Sequence, residues 1–141
     1  AWGDRYIGYE KALNEAGIPV DEDLVYFEGL KVKSGYVASE KFLASGKNFD
    51  GIICASDEIA MGAINGLREK GVNTPEDVSV IGFNDNVVAS YFYPKLTTVK
   101  QPSYDMGSVA MRMLIKILNN KPLEEAEFIL NHELIERESC K

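Results

Sequence analysis

Residues that carry metal, redox and nucleophilic chemistry are scarce in this sequence. Its 141 residues include one histidine, His132, and two cysteines, Cys54 and Cys140. It contains no C-x-x-C pair, no G-x-S-x-G turn and no glycine-rich phosphate loop. These motifs are typical of redox or metal sites, of hydrolases and of nucleotide-binding proteins, respectively. The sequence therefore predicts a protein that is not an enzyme and that holds no metal or cofactor.

Excess positive charge and long apolar runs are also lacking. The chain has 15 basic and 22 acidic residues, for a net charge of −7. Because affinity for DNA depends largely on lysine and arginine contacts to phosphate, this stretch is a poor candidate for binding DNA itself. No run approaches the roughly 18 apolar residues of a transmembrane helix, so we expect no membrane contact. The length is that of one domain with a real core.

Helical and strand patterns alternate along the chain. Apolar residues spaced three and four apart predict four helices, at residues 4–17, 34–46, 57–70 and 104–119. Apolar runs predict five strands, at residues 24–29, 49–55, 78–83, 96–100 and 127–139. Short connections between strands and helices favour an α/β fold, a three-layer arrangement of a parallel sheet with helices on both faces.

A small-molecule crevice is expected at one edge of this sheet. In open α/β sheets, ligands bind beyond the carboxyl ends of the strands. Those ends are residues 28–30, 55–57 and 83–86. The chain opens with AWGDRYIGYEKAL, a helical pattern that no strand precedes. We therefore expect the sequence to be part of a longer protein.

Three long segments together resemble the LacI/GalR family of transcriptional repressors. They are CASDEIAMGAINGLREKGVNTPEDVSVIGFNDN at 54–86, PKLTTVKQPSYDMGSVAMRMLIKILNNK at 94–121 and LIERESC at 134–140. The resemblance implies a periplasmic-binding-protein-like module (type I) of two lobes, with the ligand in the cleft between them. It assigns residues 1–99 and 127–141 to the C-terminal lobe. It assigns residues 100–126 to the crossover and a helix of the N-terminal lobe.

The same resemblance implies what the protein does. It would be the effector- or corepressor-sensing module of a cytoplasmic bacterial regulator, a homodimer that binds a small sugar or sugar derivative. DNA would be bound only through a headpiece that this sequence does not contain. The alternative is a sugar-binding protein of a transport system, because the two groups share a fold.

Six candidates for ligand contact follow from the family's motifs. Asn84 stands where the family commonly has aspartate, and its amide can donate as well as accept hydrogen bonds. Arg5 offers several donors in a fixed geometry, and the alternative is a solvated arginine near a helix start. Gln101 could equally be solvated. An Asx turn is the structural alternative for Asn84 and Asp85. Either Ser56 or Asp57 can cap the helix at 57–70, and a cap is favoured over ligand contact for Asp57. The candidates are Arg5, Leu30, Ser56, Asn84, Asp85 and Gln101.

The last predicted helix presents two different sides. Its apolar stripe would be exposed without the first lobe; it comprises Met106, Val109, Ala110, Met113, Leu114, Ile117 and Leu118. Its more polar side resembles the catabolite control protein A subgroup, in which this helix docks serine-phosphorylated HPr. A solvated basic edge is the alternative. The docking candidates are Tyr104, Asp105, Ser108, Val109, Arg112 and Lys116.

A homodimer interface is the last implication of the resemblance. Small residues on the helix at 57–70 could allow close approach of a second chain, or could pack on the chain's own sheet. The segment at 88–91 belongs to the same interface in the family. The candidates are Ala60, Gly62, Ala63, Val88 and Tyr91.

Overall fold

The four predicted helices all form, and three of the predicted strands form close to the expected positions. The computed structural model describes residues 2–27, 29–125 and 127–141. The helices are α1 (Trp2–Glu15), α2 (Val32–Ala44), α3 (Asp57–Glu69) and α4 (Ser103–Leu118). The strands are β1 (Gly51–Ile53), β2 (Ser79–Asn84), β3 (Thr97–Lys100) and β4 (Glu133–Ile135). Short 3-10 turns lie at Glu22–Leu24 and Val87–Ser90.

Glycines end the first three helices where the sequence predicts. Gly17, Gly46 and Gly71 follow α1, α2 and α3 with φ angles of 71°, 69° and 78°. This left-handed conformation lets the chain leave a helix, and glycine adopts it without a steric penalty. The helix boundaries therefore follow from local sequence signals.

The strands form one sheet in the order β1-β2-β3-β4. β1 and β2 are parallel, as are β2 and β3, because α3 and the turn after β2 carry the chain back between them. The α/β prediction is confirmed. The sheet is mixed rather than wholly parallel, since β4 pairs antiparallel with β3, with Thr98 opposite Ile135 and Lys100 opposite Glu133.

One predicted strand is absent and one is much shorter than expected. Residues 25–27 form no strand, while Glu28 lies outside the described residues. β1 is at the edge of the sheet and pairs only with β2 among the described residues, so residues 25–27 have no paired neighbour. β propensity without a pairing partner does not produce a strand. Of the strand predicted at 127–139, only Glu133–Ile135 pairs.

The core lies between α3 and the sheet. Ile64 and Leu67 on α3 are fully buried, as are Val80 on β2 and Leu96 before β3. α2 packs on the other side of α3. No described helix is long and apolar enough to cross a membrane.

Glycines set how closely α2 and α3 approach. A Cβ placed on Gly35 would overlap the carbonyl of Ile59, and one on Gly62 would overlap the carbonyl of Val32. Any side chain at either position would push the helices apart. The two helices therefore pack backbone against backbone.

This packing overturns part of the dimer prediction. Ala60 and Ala63 are 0% and 2% exposed, and Gly62 is buried against α2. The small residues of α3 serve close packing inside the chain, so their assignment to a dimer interface is wrong. Val88 and Tyr91 are 55% and 83% exposed, and their role remains a prediction.

Gly62→Ala should destabilise the protein by about 3 kcal/mol, because the added methyl group overpacks the α2–α3 contact. Gly8→Ala on α1 is the matched control, since no atom lies within 4 Å of the Cβ it would add. The control should gain about 0.5–1 kcal/mol from the better helix propensity of alanine. Urea unfolding measures both. Equal stability of the two variants would show that the helix contact is not tightly packed.

Candidate functional site

An open crevice lies at the carboxyl ends of β1 and β2, where the sequence places it. Its volume is about 640 Å³, and the start of α2 forms one wall. The structure brings together three of the six predicted ligand residues here, and adds four neighbours that the motifs did not indicate. The lining residues are Leu30, Lys31, Val32, Lys33, Ser56, Glu58 and Asn84.

Other hollows lie elsewhere on the surface. One of about 520 Å³ is lined by residues 72–76 and by Tyr93 and Pro94. These residues precede β2 and β3, so that hollow is at the amino ends of the strands. Ligands of open α/β sheets bind at the opposite edge, which favours the crevice beside Asn84.

Asn84 and Asp85 adopt the unusual backbone that their sequence suggests. Their φ angles are 111° and 57°, in the left-handed region that asparagine and aspartate tolerate better than other side chains. The strand β2 ends at Asn84, and the turn that follows leaves its side chain in the wall of the crevice. An amide at this position can donate and accept hydrogen bonds.

Ser56, and not Asp57, caps α3. The Ser56 hydroxyl accepts a hydrogen bond from the Ile59 amide at 3.3 Å, which fixes the helix start at the bottom of the crevice. Ser56 is buried and also lines the crevice. Of the two predicted caps, Ser56 is therefore confirmed and Asp57 is wrong, because Asp57 is already inside the first turn and faces the sheet.

Asp57 is instead a fully buried carboxylate. It accepts hydrogen bonds from the Thr98 hydroxyl at 2.5 Å and from the backbone N–H of Asn86 at 2.6 Å. Gly82 on β2 makes room for it, since a Cβ there would overlap the carboxylate. Burial raises the pKa of Asp57, and the two hydrogen bonds lower it in part. A single carboxylate thereby joins α3, β3 and the loop after β2.

Asp85 is ion-paired within the chain. Its carboxylate lies 2.7 Å from the Arg137 guanidinium, which also donates to the Leu96 carbonyl at 2.8 Å. Both side chains are largely buried. Sequence reasoning missed Arg137, because the alternating pattern after β4 identifies a strand-like segment but no partner. A ligand contact by Asp85 would have to share or displace this pair.

Arg5 lies where α1 meets the carboxyl ends of β1 and β2. Its guanidinium stacks over the Phe83 ring at 3.7 Å and donates to the Ala55 carbonyl. Burial lowers its pKa. The structure thus gives Arg5 protein contacts at the predicted edge of the sheet, but it does not place Arg5 among the residues that line the crevice.

The remaining predicted ligand residues differ in position. Leu30 is exposed and lines the crevice beside Val32, so the two form an apolar shelf. Gln101 follows β3 and is half-buried outside the crevice. Glu58 is held in the wall by the Asn86 side chain, which donates to it at 2.8 Å.

α4 is mostly exposed. None of its residues is buried. Most of the predicted apolar stripe is open: Met106, Ala110, Leu114, Ile117 and Leu118 are exposed, and Val109 and Met113 are half-buried. Lys116 forms an ion pair with Glu124 at 3.3 Å. The other docking candidates, namely Tyr104, Asp105, Ser108 and Arg112, are exposed, and Val109 is half-buried.

Buried or clustered reactive groups are few. Cys54 is buried, and burial raises the pKa of its thiol to about 12. Within residues 2–27, 29–125 and 127–141, no three histidine, cysteine, aspartate or glutamate side chains are arranged to hold a metal ion.

Known proteins resemble the chain over nearly its whole length. The family of periplasmic-binding-protein-like domains matches residues 3–140. The HTH-type transcriptional regulator RegA of Clostridium saccharobutylicum is 66% identical over 99% of this chain and 42% of its own length. Catabolite control protein A of Streptococcus mutans is 42% identical over 97% of this chain and 40% of its own length. The chain thus spans about two-fifths of these curated relatives.

Solved structures give the same result. The transcription regulator CcpA of Lactococcus lactis superposes with a TM-score of 0.91 at 36% identity, covering 99% of this chain and 51% of that one. A complex of the transcriptional regulator CelR with cellobiose has a TM-score of 0.91 at 35% identity, covering 96% of this chain and 41% of that one. The relatives named here are transcription regulators, in agreement with the expectation of a regulator and not an enzyme.

Asp57→Asn should change how stability depends on pH. The pKa of Asp57 is raised in the folded state. At pH values between the ordinary carboxyl pKa of about 4 and this raised pKa, the folded state therefore keeps a proton that the unfolded state has lost. The wild type therefore loses stability as pH rises through this window. The variant cannot ionise there, so its free energy of unfolding should increase relative to the wild type as pH rises.

Urea unfolding at a series of pH values measures this difference. Asp105→Asn, which changes an exposed carboxylate on α4, serves as the control. A constant difference between Asp57→Asn and the wild type at every pH would contradict a raised pKa.

Proposed function

This chain belongs to the family of periplasmic-binding-protein-like domains carried by LacI-type transcription regulators, and on that basis we propose that it senses a small effector for such a regulator. The observation that supports the proposal most directly is the crevice beside Asn84 at the carboxyl ends of β1 and β2. DNA contact belongs to a headpiece outside this sequence, and the place of action is the cytoplasm.

The lining of the crevice suits a sugar-like effector. The Asn84 amide supplies a donor and an acceptor for hydroxyl groups, and Leu30 and Val32 supply an apolar shelf for the C–H side of a sugar ring. Among the structural neighbours, CelR is complexed with cellobiose and a LacI-family regulator of Enterococcus faecium with ribose. These two sugars are therefore the first probes for this protein.

A second lobe would supply the opposite wall. We assign residues 100–126 to that lobe, because α4 within this range buries none of its residues and exposes a broad apolar side. β4 pairs with β3, which fits a return of the chain to the first sheet at about residue 127. An effector bound between the lobes would favour the closed arrangement through its higher affinity for it.

Docking of serine-phosphorylated HPr on α4 is a further part of the proposal. Arg112 is exposed and lies one turn from Lys116, an arrangement that suits a phosphate or an acidic partner. Lys116 already pairs with the highly exposed Glu124. Arg112 is therefore the better single test of docking.

A homodimer interface at residues 87–93 also fits the exposed surface. Val88 and Tyr91 are joined there by Val87 and Tyr93, both 78% exposed. Four large apolar side chains in one short segment form a patch of the kind that marks protein interfaces. The transport-protein alternative finds no corresponding support, since the named relatives are transcription regulators.

Asn84→Gly and Arg112→Ala should affect the two effector modes separately. Glycine tolerates the positive φ of residue 84 and removes the side chain with its amide, so Asn84→Gly should weaken cellobiose or ribose binding by about tenfold, the worth of one or two hydrogen bonds. Asn84→Gly should leave the affinity for phosphorylated HPr unchanged. Arg112→Ala should weaken binding of phosphorylated HPr and leave sugar binding unchanged. Calorimetry on the full-length regulator, with sugars and with phosphorylated and unphosphorylated HPr, measures both.

Asn120→Gly is the matched control for the first variant. Asn120 also has a positive φ, of 53°, but it follows α4 and lies outside the crevice. It should bind both probes as the wild type does. No response of the wild type to either sugar would remove the sugar class, and no response to phosphorylated HPr would remove the docking mode.

Val88→Asp should weaken self-association, because it places a charge in the exposed apolar patch at residues 87–93. We expect a dimer constant weakened by at least about tenfold, since burying an unpaired charge costs more than one hydrogen bond. Sedimentation equilibrium gives the constant. Ile18→Asp is the control, as Ile18 is 52% exposed outside this patch. An unchanged dimer in Val88→Asp, or equal loss in the control, would place the interface elsewhere.

A further inference from the structure

The loop that presents Asn84 to the crevice is held by side chains from three other elements. Asn84 and Asp85 both have positive φ, a conformation that L side chains adopt rarely and that usually persists only where surrounding contacts fix it. No glycine lies at residues 84–86 to relieve the backbone. The contacts around the loop therefore decide where the Asn84 amide points.

Thr98 and Asp57 hold the loop from below. The Thr98 hydroxyl on β3 accepts from the Asp85 amide at 3.3 Å and donates its one proton to Asp57. The second oxygen of Asp57 accepts from the Asn86 amide at 2.6 Å. Thr98 and Asp57 are both fully buried, so water cannot substitute for these bonds. The backbone N–H groups of Asp85 and Asn86 thus both depend on the buried pair of Thr98 and Asp57.

Arg137 holds the loop from the side. Its guanidinium donates to the Asp85 carboxylate at 2.7 Å and to the Leu96 carbonyl at 2.8 Å. Because Leu96 directly precedes β3, these two contacts tie the loop to the start of that strand. Its own amide donates to the Thr97 hydroxyl at 2.9 Å. The planar fork of an arginine fixes a carboxylate in direction as well as in distance.

We infer that Thr98, Asp57 and Arg137 are positioning residues for the effector site, which hold Asn84 and Asp85 in the left-handed conformation without lining the crevice themselves. The inference rests on the proposed function, because it takes the crevice beside Asn84 as the effector site. The competing explanation is that asparagine and aspartate keep this turn by themselves, since both tolerate positive φ.

Thr98→Val separates these explanations. Valine keeps the shape of threonine and removes the hydroxyl that the Asp85 amide and Asp57 share. Amide hydrogen exchange, measured by NMR without ligand, should speed up by about tenfold at Asp85 and Asn86 relative to the core amide of Cys54, as expected for loss of one buried hydrogen bond. Thr98→Ser restores the hydroxyl and should restore the wild-type rates.

Ile64→Val is the control for general loss of stability. It removes a methylene group from the core of α3 without touching the loop, so any change in exchange should be shared by Cys54 and the loop amides. Wild-type exchange at Asp85 and Asn86 in Thr98→Val would overturn the inference, as would an equal change at Cys54. If Thr98→Val does not fold, the same exchange rates are measured in Arg137→Lys. Lysine keeps the positive charge but has no planar guanidinium to bond Asp85 and Leu96 together.

The sugar titration decides whether positioning matters for binding. In the full-length regulator, a sugar that binds the wild type, cellobiose or ribose, should bind Thr98→Val about tenfold more weakly and Thr98→Ser within about twofold. Equal affinity in all three proteins would overturn the positioning role for the effector. If neither sugar binds the wild type, the proposed ligand class fails, while the exchange rates still decide whether these residues hold the loop.

Discussion

The buried carboxylate of Asp57 is the contact on which the candidate site depends. It lies in the first turn of α3, under the cap made by Ser56, and accepts hydrogen bonds from β3 and from the loop after β2. Gly82 leaves the space it occupies. A buried charge without such partners would be costly, so the carboxylate is tolerated only where Thr98 and the Asn86 N–H donate to it. Ser56 and Asn84, which both line the crevice, are held relative to each other through this one carboxylate.

The second constraint is the close packing of α2 on α3. Gly35 and Gly62 let the two backbones touch, and this contact fixes the start of α2 relative to the start of α3. Both helix starts border the crevice, which contains Leu30 and Ser56. Small residues in a helix can serve contact within a chain or between chains. Only the burial of α3 decided between them, because helix spacing alone is the same in both cases.

The proposed partners would bind to exposed surfaces of the molecule. α4 buries none of its residues, and residues 87–93 expose four large apolar side chains. These surfaces lie on different elements, one after β3 and the other between β2 and β3. The proposed phosphoprotein on α4 and the proposed second copy of the chain at residues 87–93 would therefore occupy surfaces other than the crevice beside Asn84.

The sequence alone determined the helices, their glycine ends and the parallel strands β1, β2 and β3, because apolar spacing and helix-stop signals are local. It also located the crevice, since carboxyl ends of parallel strands share one edge. Only the tertiary structure decided that residues 25–27 form no strand and that Arg137 pairs with Asp85. These outcomes depend on which distant residues meet in space, and no local pattern records a partner about fifty positions away.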